Sequence, residues 1–179
     1  MEIILVLHNI RSVYNVGSIL RSADGFGVNQ VIYSGYTPTP LPYSHLLPHL
    51  AQKITDQIRK TALGAEQTLP SMYSDDLLKT LSHYRTMGYQ ILALENNLQD
   101  QTTYLLSDHD LPSRLSSKVV ILLGEEVAGL SPDFFNAVDL FLEIPMFGYK
   151  ESFNVSVATA ILLFYLRTQV KQYITPSIF

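Results

Sequence analysis

The chain contains no cysteine, which excludes a disulfide framework and any thiolate-ligated metal site. Its five histidines offer no pair at metal-ligand spacing beyond a loose His45 and His49, which fall in a Pro-rich stretch and read as solvated side chains, so no metal is expected. Basic residues are not in excess. With 12 Lys and Arg against 16 Asp and Glu, the net charge of −4 argues against a protein that coats nucleic acid, although a local basic face is compatible with it. The apolar run over residues 155–166, interrupted by Ser156 and Thr159, falls short of the roughly 20 residues that cross a bilayer. The N-terminal MEIILVLHNIRS has neither the basic leader nor the long apolar core of a signal peptide. A cytoplasmic protein with no membrane contact is therefore expected. Neither GxGxxG nor GxxxxGK[ST] occurs, which disfavours a dinucleotide or nucleoside-triphosphate enzyme, and there is no Gly-x-Ser-x-Gly elbow. No internal repeat, low-complexity segment or linker divides the 179 residues, so a single domain over 1–179 is expected.

What is present alternates in character. Residues 2–8 (EIILVLH) form a short apolar run typical of a strand covered on both faces in a parallel sheet. A polar loop follows, then a helix over residues 15–24 with Asn15 at or near its N-cap and Gly25 and Gly27 ending it, and a second strand over 29–34. Four prolines between residues 35 and 48 exclude regular structure there. Residues 49–61 are helical in spacing and form the most basic segment, with Lys53, Arg59 and Lys60 against Asp56. A weak strand is expected within 64–73, and a helix capped by Ser74 follows it. Strands are expected over 89–95, 118–123 and 138–144, with a helix start at Ser131-Pro132-Asp133; residues 99–117 carry no clear signal. The total is five or six strands alternating with helices, an α/β fold with a mostly parallel sheet flanked by helices.

The stretch IPMFGYKESFNVSVATAILLFYL, residues 144–166, changes abruptly from loop to helix. Ser152, Asn154 and Ser156 at the junction are short polar side chains of the kind that cap helix starts. The helix beyond is apolar nearly all round, and a single domain of this size does not cover such a helix on every side. In an open parallel sheet, ligands bind beyond the carboxyl ends of the strands. Three such ends lead into polar or glycine-rich loops, over residues 8–15, 124–129 and 145–154. Taken singly, their residues have ordinary structural explanations: Asn15 and Asn154 as caps, Arg21 as a solvated helix residue, Glu126 as a loop acid.

Read together, Asn15-Val-Gly-Ser-Ile-Leu-Arg21-Ser-Ala-Asp24, Leu123-Gly124-Glu-Glu126-Val-Ala-Gly129-Leu130, and Ile144-Pro145-Met146 with Ser152-Phe-Asn154-Val-Ser resemble, in order, the three motifs of the SpoU (TrmH) family of RNA 2'-O-ribose methyltransferases in the SPOUT superfamily. The resemblance covers almost the whole chain, without the separate N-terminal RNA-binding domain of many relatives. Two positions depart from the pattern: Phe153 where the family usually has Leu, and Glu125 where it often has Asn.

The resemblance implies a deep C-terminal trefoil knot, S-adenosylmethionine bound within it, a homodimer with the active site completed across the interface, and tRNA or rRNA as substrate. It places Arg21, Asn15, Glu126, Ser152 and Asn154 in catalysis, and Leu94, Glu95, Gly124, Glu126, Ile144, Met146, Ser152 and Phe153 around the cofactor. RNA contacts are assigned to Arg11, Lys53, Arg59 and Lys60. Since a guanidinium stays protonated in proteins, Arg21 is expected to clamp a phosphate and steady a forming alkoxide rather than act as a base. A non-catalytic RNA-binding protein of this fold and a methyltransferase for a non-RNA substrate remain the alternatives.

Overall fold

The computed structural model describes residues 1–96, 98–99 and 101–169. β1 (Glu2–His8) leads into α1 (Val13–Gly25), β2 (Gln30–Ser34), α2 (Pro48–Ala62), the short α3 (Ala65–Thr68) and β3 (Ser71–Ser74). There follow α4 (Leu77–Thr86), β4 (Gln90–Leu94), β5 (Thr103–Leu105), α5 (Leu111–Arg114), β6 (Lys118–Leu123), a 3-10 helix (Pro132–Ala137), β7 (Leu140–Glu143) and α6 (Val155–Thr168). The strands form one sheet in the order β3-β2-β1-β6-β4-β7-β5, with every neighbouring pair parallel.

Both faces of this sheet are buried, which is why its central strands are continuous apolar runs rather than alternating ones. Ile3, Leu5 and Leu7 of β1 point into a core shared with α1, α2 and α6. Ile4 and Val6 point the other way, onto Leu77 and Leu81 of α4 and the phenylalanines of the 3-10 helix. α1 and α2 approach closely at Gly17, where a Cβ would lie 2.1 Å from Thr61 Oγ1 and 2.3 Å from the Ile58 carbonyl oxygen. At the far end of α6, Arg167 gathers three backbone carbonyls, donating to Phe26 (2.6 Å), Met1 (2.8 Å) and Gly27. One side chain thereby ties the last helix to the chain start and to the turn after α1.

Several boundaries differ from the sequence expectation. α1 begins at Val13, capped by Ser12, whose Oγ accepts from the Asn15 amide at 3.3 Å; Asn15 thus sits in the first turn, and its side chain is released from capping. α4 is capped by Asp76, which accepts from the Lys79 amide at 3.0 Å, whereas Ser74 ends β3 and bonds Thr80 Oγ1 at 2.7 Å. The described residues form seven strands, not five or six. The extra one, β5, is a three-residue edge strand of half-buried residues, too short to carry a periodicity. α6 starts where expected, with Asn154 as its cap, but the described residues bury only one of its faces. Leu162, Leu163 and Leu166 are buried, while Val157 and Phe164 are 46% and 56% exposed. Among the described residues no helix is long and apolar enough to cross a membrane.

Candidate active site

The strand order brings together loops that are distant in sequence. β6 lies between β1 and β4, and β7 pairs with β4, so the loops that leave β1, β6, β4 and β7 share one edge of the sheet. Glu126, on the loop after β6, reaches the loop after β1. Its Oε2 accepts from the Arg11 amide (3.0 Å), and its Oε1 accepts from the Ser12 amide (3.2 Å) and from Asn15 Nδ2 (3.0 Å). Asn15 Oδ1 in turn accepts from Asn154 Nδ2 at 3.1 Å. Asn154 Oδ1 then accepts from the amide and hydroxyl of Ser156 at 2.9 and 2.7 Å. Three residues named from sequence, each from a different strand end, are thereby joined in one chain of hydrogen bonds. Burial raises the pKa of Glu126, but the hydrogen bonds from Arg11, Asn15 and Ser12 outweigh it and hold the carboxyl below its ordinary value. It is a carboxylate at neutral pH.

Beside this relay opens a cavity of about 360 Å³ lined by Leu94, Glu95, Gly124, Glu126, Ile144, Ser152 and Phe153 among others. Seven of the eight residues assigned to the cofactor thus line one space; Met146 is not among its lining residues. The loop 124–130 folds back on itself through reciprocal backbone bonds between Glu125 and Gly129, at 3.1 and 2.9 Å. Its two glycines permit the closure. A Cβ on Gly124 would fall 2.6 Å from the backbone of Gly129 and Leu130 and 2.7 Å from Glu95 Oε1, and one on Gly129, at φ +70°, would fall 2.9 Å from Glu95 Oε2. The hairpin therefore packs directly on the Glu95 carboxyl. Burial raises the pKa of that carboxyl to about 7, with the Leu130 amide partly opposing the shift.

Among the described residues the cavity is lined by four carboxyl groups, Glu95, Glu125, Glu126 and Glu151, and by no Lys, Arg or His. Such a lining repels phosphates and suits a small molecule with positive charge and an apolar part, the latter facing Leu94, Leu123, Ile144 and Phe153. Asn96 belongs to none of the three motifs. It links the loops after β4 and β7, donating to the Ile144 carbonyl at 3.0 Å and accepting from its amide at 3.4 Å.

The remaining assigned residues lie elsewhere. Arg21 is on the exposed side of α1, and among the described residues no hydrogen bond or ion pair reaches its guanidinium. Arg11 is exposed and paired with Glu125, the acid that departs from the sequence pattern. On α2, Lys53 and Lys60 are exposed, whereas Arg59 donates to the buried Glu66 at 2.9 Å and braces the turn into α3. Among the described residues no three metal-ligating acids or histidines come together.

The model of the SpoU rRNA Methylase family matches residues 2–164. The chain belongs to that family. Among the relatives of this SpoU family chain is a Staphylococcus saprophyticus protein named for the TrmH family of tRNA/rRNA methyltransferases, 28% identical over 92% of this chain and 57% of its own length. The chain spans little more than half of the curated relatives it matches. Its fold resembles that of a TrmH-family RNA methyltransferase structure from Porphyromonas gingivalis, with TM-score 0.74, 25% identity, and coverage of 94% of this chain and 60% of that one. It also resembles an AdoMet-bound rRNA methyltransferase from Sinorhizobium meliloti (TM-score 0.70, 22% identity, 98% and 57% covered). A third neighbour, named as an RNA 2'-O ribose methyltransferase, has TM-score 0.72 at 23% identity, with 96% and 57% covered. At these identities the last two speak for the fold alone.

Proposed function

We propose that this chain transfers a methyl group from S-adenosylmethionine to a ribose 2'-hydroxyl of tRNA or rRNA. The observation that carries this reading is the Glu126–Asn15–Asn154 relay at the mouth of an acidic, partly apolar cavity. The donor set fits the cofactor, whose net charge is positive and whose adenine needs an apolar slot, with Leu94, Leu123, Ile144 and Phe153 forming the slot. When bound there, S-adenosylmethionine supplies an electrophilic methyl on a sulfonium. The residues of the chain must bring the 2'-oxygen to it and help that weak nucleophile lose its proton as it attacks.

Asn15 is oriented for this at both ends, since Glu126 fixes its amide nitrogen and Asn154 its carbonyl oxygen. One N–H and one lone pair are left to hold the 2'-hydroxyl. Arg21 grips the phosphate beside the target ribose with its planar fork and lowers the cost of the developing alkoxide; the proton leaves to that phosphate or to water. Since Arg21 lies on an outward face while the relay faces the cavity, the assembly we favour is a homodimer, in which Arg21 of one copy meets the relay of the other. Val157 and Phe164 of α6 are the apolar residues that such an interface would cover. The C-terminal segment forms the trefoil knot of the family in this reading, and Lys53, Lys60 and Arg11 receive the RNA backbone. A cytoplasmic location follows from the substrate.

Transfer of tritium from methyl-labelled cofactor to total cellular RNA, with total protein as the parallel acceptor, tests the proposal. Label in RNA that digests to 2'-O-methylated nucleotides is the expected result. Label in protein alone, or none in either, removes it.

A further inference from the structure

Among the described residues the cavity is lined by four acids and no base, yet these acids are not equivalent. Glu126 is committed to the amides of Arg11 and Ser12 and to Asn15. Glu125 is paired with Arg11. Glu151 lies on the exposed part of the loop after β7, where water and salt screen it. Glu95 differs from all three. It stands at the end of β4 with its oxygens against Gly124 and Gly129, enclosed by the folded-back hairpin, and Leu130 donates to it. The charged groups around it are Glu125 and Glu126 from the hairpin, with Arg11 behind them, and Glu151 from the loop after β7. The neighbouring ends of β4 and β7 and the start of α6 contribute only Leu94, Asn96, Ile144, Val155 and Ala158 to the lining. Among the described residues no cation of these elements lines the cavity beside Glu95, so none of them compensates its negative charge there.

We propose that Glu95 is the charge-selecting residue of this site: its carboxylate makes the cavity prefer the cationic methyl donor over the neutral thioether left after transfer, so that loss of the methyl group itself loosens the product. The inference rests on S-adenosylmethionine being the molecule that the cavity takes. Donor and product differ by one methyl group and one unit of charge, and they share the adenosine and the amino-acid end. An enclosed carboxylate separates the two mainly through that charge, because charges interact more strongly where water is excluded. The same acid binds a proton when no cation is present. With a pKa of about 7, raised by burial, it is part protonated in the empty cavity near neutral pH, and binding a cation drives that proton out to the buffer. Binding the neutral product does not. Donor affinity therefore rises as pH rises through neutrality, as the ionised fraction of Glu95 increases.

Isothermal titration calorimetry on the whole protein tests this, using S-adenosylmethionine and S-adenosylhomocysteine as ligands in buffers of different protonation heat. Near neutral pH the donor should release about half a proton per site and the product none, the fraction expected for a group of pKa about 7. From about pH 6 to about pH 7 donor affinity should rise about fivefold, following the ionised fraction of Glu95, while product affinity stays level. Glu95→Gln should abolish the proton release and shrink the preference for the donor. Should that variant fail to fold, the proton count of the unaltered protein decides alone. Equal affinity for both ligands with no proton released, or the same release with both, overturns the inference and leaves the methyltransferase reading standing. Binding of neither ligand removes that reading and the inference with it.

Discussion

The two sides of α1 are built to different standards of completeness. On the inner side the chain supplies partners of its own: Ser12 caps the helix, Asn15 is held between Glu126 and Asn154, and Gly17 lets the backbone of α2 approach to contact. On the outer side, Tyr14 and Arg21 stand exposed, and Phe164 of the neighbouring α6 is more than half exposed, with only the edge of Phe26 against it. The inner side is preorganised, because groups that are already bonded need no reordering when a ligand arrives. In the proposed assembly the outer side would receive a second molecule, since an exposed charged fork and a half-covered aromatic gain most from a new partner. Under the proposed function, one chain would complete the cofactor side alone, and RNA and a second copy would complete the rest.

The sharpest way to break this comparison is at Arg21. Arg21→Lys keeps the charge but loses the planar fork, and kcat should fall by about 10²-fold or more, as on losing a preorganised donor to a forming oxyanion. The dissociation constant of the cofactor should not move. Cofactor binding that weakens in step with kcat would place Arg21 on the inner side after all.

Gly17→Ala attacks the inner side. The Thr61 hydroxyl can rotate away from the new Cβ, but the Ile58 carbonyl at 2.3 Å is backbone and cannot, so α1 must lift off α2. A loss of about 2–3 kcal/mol in urea unfolding is expected for such overpacking. A loss within about 0.5 kcal/mol, the range of ordinary surface changes, would show that the close approach is not required.

A pair of neighbours on α6 separates folding from assembly. Leu163 is fully buried and Phe164 is 56% exposed. Leu163→Glu places a charge in the core and should prevent folding. Phe164→Glu should leave the circular dichroism and the urea midpoint of the monomer intact while light scattering reports half the mass of the unaltered protein. A Phe164→Glu protein that remains dimeric would move the interface elsewhere.

The smallest effect is expected on α2. Changing Lys53 and Lys60 to Ala removes two exposed cations and should reduce the slope of log binding constant against log salt by about one to two, with little change in kcat. Arg59 is left out, because its bond to Glu66 makes it a structural residue and its loss would disturb the turn into α3. A salt slope that does not change would assign the RNA to another face.

Much of the fold was legible because strong local signals agree with it. The central strands are branched apolar runs, and the residues that end them are polar or glycine. β5 was not legible, since three half-buried residues at an edge leave no pattern. The caps of α1 and α4 were shifted by a few residues because any short polar side chain near a helix start is a candidate, and only the backbone angle selects Ser12 over Asn15 and Asp76 over Ser74. Of the candidate site, the residue types and the order of the motifs were readable. That Arg59 is tied to Glu66 and Arg11 to Glu125 was not, because an ion pair across a fold has no fixed spacing in sequence.

By itself, then, the sequence determined the α/β class, the start of α6 at Asn154 and the identity of the polar residues gathered at the strand ends, all of which depend on interactions between near neighbours. The tertiary structure decided which of those residues meet. The strand order sets β6 between β1 and β4, and so joins Asn15, Glu126 and Asn154, which are separated by 111 and 139 positions along the chain. It also closed a glycine-bounded hairpin over Glu95 and raised the pKa of that carboxyl by burial, and it turned Arg21 outward. These are properties of distance and solvent exclusion, which arise only once the loops of a parallel sheet are brought to the same edge.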